Sequence, residues 1–193
     1  MDILKLIKEK RTVRRYKNKP IPKKILNKII EAGIWGSSLH GFQPWRYSII
    51  SDKDVIGEIS EILVLESRKH GIASKILLTS SANTILKSQL LIVIYNSQEF
   101  VKWVNKFGKR YVKYAEVAEL SAISAAIQDM ILVAENFGIG SCWLSMPLFC
   151  EKKINNILNR REKLIAVVTF GYPRVREKRF IRRSIVETVK FIK

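Results

Sequence analysis

Two short segments carry residues whose types and spacing could do chemistry. Lys10-Arg11-Thr12-Val13-Arg14 places three cations and a hydroxyl within five residues, just after an amphipathic run of Ile3, Leu4, Leu6 and Ile7. An arginine guanidinium offers paired hydrogen bonds to phosphate oxygens, Thr12 adds a hydroxyl donor, and an extended backbone would put Lys10, Thr12 and Arg14 on one side. Such a cluster can grip a phosphate. Further on, Gly41-Phe42-Gln43-Pro44-Trp45 closes a turn that contains Ser37 and Ser38. The residue before a proline is held extended, so this turn leads into the strand-like Tyr47-Ser48-Ile49-Ile50. Backbone amides in such a turn can face a planar polar ring.

These segments need a scaffold, and the apolar spacing predicts one. Ile25, Leu26, Ile29 and Ile30 follow Pro22 at helical spacing, and Gly33 is expected to end that helix. A second helix is predicted over about 53–65. After a weakly patterned stretch, Leu90 to Tyr95 has the length and β-branching of a buried strand. The longest helical pattern runs from about Tyr111 to Phe137, with Val117, Leu120, Ile123, Ser124, Ile127, Ile131 and Ala134 on one broad face, and Gly138 and Gly140 stop it. A short strand through Cys142 to Leu144, a helix from about Pro147 to Leu158 and a strand over 164–170 follow. Strands alternating with helices predict a helix-covered sheet of the α/β or α+β class. The basic tail after Tyr172 has few apolar residues to bury.

With 193 residues, the chain fits one domain over 1–193. No apolar signal region or membrane span is legible, and Cys142 and Cys150 are the only cysteines, without metal-ligand spacing, so a cytoplasmic protein with reduced thiols is expected. Thirty-five Lys and Arg against seventeen Asp and Glu give a net charge of +18. The charges are scattered as on solvated helix faces and no nucleic-acid module is legible, so nucleic acid is not the expected partner. A positive field would still steer anionic substrates inward.

Four segments in register resemble the nitroreductase family. They are Lys10 to Tyr16, Gly36 to Trp45, Gly138-Ile139-Gly140-Ser141-Cys142-Trp143-Leu144-Ser145, and Phe170-Gly171-Tyr172-Pro173 followed by Arg182-Arg183. The resemblance implies an α+β, three-layer fold with a mostly antiparallel central sheet flanked by helices, and a C-terminal segment that crosses to a partner subunit. It implies FMN as cofactor, NADH or NADPH as electron donor, and a homodimer with sites at the subunit interface. Electron-poor acceptors such as nitroaromatics or quinones would be reduced in ping-pong fashion.

By the same correspondence, Lys10, Arg11, Thr12, Arg182 and Arg183 face the phosphate, and Arg14 sits beside N1 and O2 of the ring, where reduction accumulates charge. Ser37, Ser38, Leu39 and Gly41 reach the flavin of the other subunit, and Gln43 meets the ring edge. Backbone amides of Leu144, Ser145 and Met146 approach N5, so no catalytic side chain is implied. Trp143 is expected to pack in the core, with a stacking platform for the cofactor as the alternative, and Pro44 and Trp45 are expected to fix the turn and pack. Ser37 and Gly41 replace the family's Pro and Asn, and Gly41 cannot make an Asn side-chain contact. His40 could face substrate or solvent, whereas His70 is taken as surface.

Triad chemistry, a metal centre and a dinucleotide-binding fingerprint are not supported by the sequence. Two rival readings stand. A related flavoenzyme could carry out dehalogenation or flavin fragmentation, using residues among Lys102, Trp103, Lys106, Phe107 and Tyr111. A non-enzymatic basic binding protein could retain the fold.

Overall fold

In the computed structural model, which describes residues 2–175 and 181–192, an antiparallel sheet lies between two helical layers. Its strands are β1 (Trp45–Ile50), β2 (Leu90–Asn96), β3 (Gly140–Leu144) and β4 (Lys163–Gly171), in the order β1-β2-β4-β3. The register pairs Trp45 with Asn96, Leu90 with Phe170 and Gly140 with Gly171. β2 is buried along its whole length, as its unbroken apolar run requires for a strand covered on both faces.

One face of the sheet packs Ile92, Ile94, Ala166, Val168 and Phe170 against α2 (Lys23–Ile34) and α6 (Val112–Asn136). The other packs Leu91, Val93, Cys142, Leu144 and Val167 against α3 (Lys53–Ser67), α4 (Ile72–Leu86) and α7 (Glu151–Ile157). α1 (Ile3–Glu9), α5 (Glu99–Asn105) and α8 (Ile185–Thr188) complete the helices among the described residues. This is the three-layer α+β arrangement that the sequence resemblance implies.

Local chemistry sets the helix ends. Asp52 caps α3 by accepting from the backbone N–H of Asp54 and Val55, and Gly138, at φ +71°, turns the chain out of α6 toward β3. Gly33 does not end α2, which continues to Ile34. Its role is packing, because a Cβ there would lie 2.0 Å from Met130 Cε.

On α6, the buried residues include Ala115, Glu119, Ala122, Ile123, Ala126 and Met130, whereas Val117 and Leu120 are exposed, so the predicted broad face splits into two. The stretch Lys109–Asn136 is long and apolar enough to cross a bilayer. It carries Asp129 and Glu135 and packs along α2, as the core helix of this fold. The segment expected as one helix over 147–158 is a 3₁₀ turn, Met146–Cys150, followed by α7, with Cys150 off helical geometry between them. α4 fills the weakly patterned stretch. Its apolar residues go round the helix, so no single stripe marks it in the sequence.

Candidate functional site

After α1 the chain turns extended at Lys10 and runs along the free edge of β3. Thr12 bridges Ser141 in parallel, and the Val13 N–H donates to Ser141 O at 2.8 Å. Val13 is fully buried while Thr12 and Arg14 are not, which gives the predicted alternation about an extended backbone.

Two glycines allow this close approach. A Cβ on Gly140 would meet Val13 Cγ2 at 2.5 Å, and one on Gly171 would meet Tyr16 Cδ1 at 2.7 Å. Tyr16 then locks the segment, its hydroxyl donating to Val13 O at 2.6 Å and lying 2.6 Å from Thr169 Oγ1. Burial pushes the Tyr16 phenol far above its ordinary range, only partly offset by the Thr169 hydrogen bond, so it stays neutral.

Between this segment and α4 lies a groove of about 710 Å³, lined by Arg14 and Arg15 on one side and by Ile72, Ile76, Thr79, Asn83 and Lys87 among others on the helix. The α4 residues recur at three- and four-residue spacing and so share one face. That face is graded, with isoleucines first, then the hydroxyls of Thr79 and Ser80, then Asn83, then Lys87. From Ile76 to Asn83 the helix rises roughly 10 Å, about the length of a fused three-ring system. An apolar ring end beside Ile72 and Ile76 and a polar, charge-accumulating end between Arg14, Asn83 and Lys87 would be matched. FMN, the group that the fold family implies, therefore fits the residues present. Asn83 and Lys87 were not legible in the sequence as groove-lining residues, their one signal being the i, i+4 spacing of polar groups in an unpatterned stretch.

The other expected residues are distributed as follows. Arg11 Nη1 donates to Lys8 O at 2.8 Å and to Lys10 O at 2.6 Å, which leaves its Nε and Nη2 donors for a ligand. Lys10 is half-buried beside it. Leu144 is buried and Ser145 exposed where β3 ends, on the sheet face that α4 covers. Trp143 is 40% exposed, which overturns its expected core packing. It sits on edge strand β3, paired with Val168 on one side and without a further named strand on the other. Arg182 and Arg183 are exposed before α8, and neither lines the groove.

Ser37, Ser38, Leu39, Gly41 and Gln43 are not brought to this groove. Their turn precedes β1, and β1 and β3 are opposite edges of the sheet. In the turn, Ser38 Oγ accepts from the Gln43 N–H at 3.4 Å and Gln43 Nε2 reaches Gly41 O at 3.5 Å. His40, Gly41 and Gln43 all have positive φ, which overturns the extended backbone expected for the residue before Pro44, as the turn's own hydrogen bonds hold Gln43 left-handed. Pro44 and Trp45 are buried, as expected.

Beside the turn stands an aromatic wall. Phe42 lies 4.9 Å from Phe100, Trp103 stacks on Phe100 at 5.9 Å and meets Phe107 edge-on at 4.9 Å, and His40 is 6.3 Å from Phe100. The buried Glu119 of α6 fixes this wall by accepting from the N–H of Phe100 at 2.8 Å, of Val101 at 3.3 Å and from Asn96 Nδ2 at 2.8 Å. It thereby caps α5 from another helix, which sequence spacing gave no reason to expect. His70, taken as surface, lies 3.5 Å from Glu66 and edge-on to Phe149.

With this geometry established, the comparisons define the class of protein. The family model of the Nitroreductase family matches residues 7–172, and the chain belongs to that family. Among curated relatives, a protein of Methanothermobacter thermautotrophicus assigned as an NADH dehydrogenase/NAD(P)H nitroreductase is 23% identical over 177 residues, covering 90% of this chain and 78% of that one. An iodotyrosine deiodinase of Nematostella vectensis is 29% identical over 187 residues, covering 89% and 67%. Among solved structures, a Desulfovibrio desulfuricans protein described as a nitroreductase in complex with FMN superposes with a TM-score of 0.74 at 22% identity, covering 100% of this chain and 98% of that one.

Proposed function

We propose that residues 1–193 form one flavin-binding domain, and that the protein is a cytoplasmic, FMN-dependent NAD(P)H oxidoreductase working as a homodimer. The observation that carries this reading is the graded face of α4, apolar at Ile76 and polar at Asn83 and Lys87, set opposite Arg14. When bound, FMN supplies two-electron chemistry, taking hydride at N5 from NADH or NADPH and passing reducing equivalents to an electron-poor acceptor such as a nitroaromatic or quinone. The chain's residues bind and orient. Arg11 and Thr12, with Lys10 alongside, would hold the phosphate; Arg14, Asn83 and Lys87, which line the groove, would hold the pyrimidine edge; and backbone amides of Leu144 and Ser145 would serve N5. A cation beside that edge stabilises the negative charge that reduction places there. Proximity and orientation supply the main catalytic advantage.

Dimer formation is supported by the separation of the two residue sets. The turn from Ser37 to Gln43 cannot serve the groove of its own chain across the sheet, whereas a two-fold partner could supply it. Val117, Leu120, Trp143, Ile185, Val186, Phe191 and Ile192 are all exposed apolar residues that such a partner would cover, and Arg182 and Arg183 would be carried with the tail. Reductive dehalogenation is a second reading, favoured by the deiodinase relatives; the aromatic wall at Phe42, Phe100 and Trp103 would suit a halogenated ring.

The test is the visible spectrum of the purified protein, followed by turnover with nitroaromatic, quinone and iodoaromatic acceptors. A yellow protein that releases FMN on denaturation supports the proposal, and a colourless protein that fails to take up FMN removes it. The acceptor panel separates the two enzyme readings.

A further inference from the structure

We propose that a second groove, contiguous with the flavin groove, is an anion site for the phosphate-bearing part of the nicotinamide dinucleotide, and that it favours NADPH over NADH. This rests on the flavin reading above. The groove measures about 720 Å³ and is lined by the cations Arg15, Lys53, Lys87 and Arg174 with the side-chain amides of Asn18 and Gln89. It shares Arg15 and Lys87 with the flavin groove. No carboxylate among the described residues lines either one.

The charge count is what demands a second ligand. Arg14 and Lys87 are assigned to the ring edge, and the flavin phosphate falls to Arg11 and Thr12. Arg15, Lys53 and Arg174 remain, gathered by the fold from three distant parts of the sequence. The Arg174 N–H donates to Arg15 O at 2.9 Å and sets these two residues side by side. Lys53 is tethered from α3 by donating to Ser88 O at 2.7 Å, with two ammonium hydrogens left over.

Like charges converging on a concave surface repel one another, and a multiply charged anion relieves that repulsion while taking charge-assisted hydrogen bonds. A pyrophosphate with an added 2′-phosphate supplies more of the required charge than a pyrophosphate alone. The site is nucleotide-sized and adjoins the ring, so one ligand can place its nicotinamide over the flavin and its phosphates here.

The experiment compares wild type with the Lys53→Gln/Arg174→Gln double variant, both full-length and flavin-loaded. Calorimetric titrations with NADP⁺, NAD⁺ and inorganic pyrophosphate are paired with stopped-flow reduction by N-benzyl-1,4-dihydronicotinamide, a donor without phosphates. The wild type should bind NADP⁺ about tenfold more tightly than NAD⁺ and the double variant should lose that preference, the effect of roughly one charge-assisted contact. Pyrophosphate should compete with NADP⁺, Arg174→Lys should retain the affinity, and the phosphate-free donor should reduce both proteins at equal rates.

Unchanged NADP⁺ affinity in the double variant overturns the proposal. So does an equal loss with the phosphate-free donor, which would mark a structural defect. Tight oligonucleotide binding that the same substitutions abolish, with NADP⁺ unaffected, overturns it in favour of a nucleic-acid surface. If the protein takes up no flavin, the functional reading fails separately, and the NADP⁺ and pyrophosphate titrations still decide the anion site.

Discussion

The Tyr16 hydroxyl lies 2.6 Å from Thr169 Oγ1 and joins the N-terminal segment to the middle of β4 across 153 positions of sequence. The same hydroxyl donates to Val13 O, so one buried phenol closes the strand-like stretch that presents Thr12 and Arg14. Tyr16→Phe keeps the ring but leaves the buried Val13 carbonyl without its donor and the buried Thr169 hydroxyl without its acceptor. It should cost about 1–3 kcal/mol in urea unfolding and weaken flavin affinity by loosening the segment. Unchanged stability would show that Thr169 and Val13 find other partners.

Gly140 and Gly41 should respond differently to alanine. At Gly140 the new methyl would collide with Val13, so the segment must lift from β3, and flavin loss together with destabilisation of at least about 2 kcal/mol is expected. At Gly41 nothing lies within 4 Å, and only the φ of +71° is unfavourable, a cost of roughly 1 kcal/mol. Chemical unfolding of the two variants ranks them directly, and a reversed order would contradict this packing.

Substitutions around the groove should sort by position. Arg11→Glu puts a carboxylate beside a dianion and should weaken FMN binding by several kcal/mol, about 2–4. Asn83→Ala and Lys87→Ala should each weaken it by about 1–2 kcal/mol, whereas Lys24→Ala, on exposed α2 surface, should leave it unchanged. Fluorescence titration of FMN at fixed ionic strength measures all four, and an equal effect at Lys24 would return Arg11 to general surface charge.

Truncation after Pro173 removes Arg182, Arg183 and the exposed apolar residues of the tail. Assembly and flavin content should fall together, read by sedimentation velocity at absorbances of protein and flavin. A flavin-loaded monomer of the full chain would show that each subunit completes its own site.

Burial pushes the Cys150 thiol from 9.0 up to about 11. Its folded value lies above its unfolded one, so this contribution to stability is fully present below about pH 9 and is lost as pH rises toward 11, by about 2 kcal/mol. Buried Tyr16 and Tyr95 shift in the same direction and steepen the loss. Unfolding free energies between pH 8 and 11 should therefore decline. Cys150 should also resist iodoacetamide at pH 8 until the protein is unfolded, because almost no thiolate is present.

The sequence by itself determined the elements whose residues act through neighbours in the chain. Leu90 to Tyr95 has the length and β-branching of a buried strand, the helical pattern over about 53–65 marked α3, Gly138 marked the end of α6, and Lys10, Thr12 and Arg14 alternate about the buried Val13 as an extended segment requires. These are short-range consequences of periodicity, capping and backbone freedom.

The tertiary structure decided whatever depends on residues far apart in sequence. α4 shows no single apolar stripe because it is buried on one side and borders a groove on another, so Asn83 and Lys87 acquire meaning only when Arg14 is laid opposite them. Trp143 reads as core in an apolar strand and is exposed because that strand is the sheet's edge. Glu119 looks like a helix-surface carboxylate until three donors from Asn96, Phe100 and Val101 converge on it. The separation of the Ser37–Gln43 turn from the Arg14 groove follows from strand order, which the fold sets through long-range pairing and no local pattern encodes.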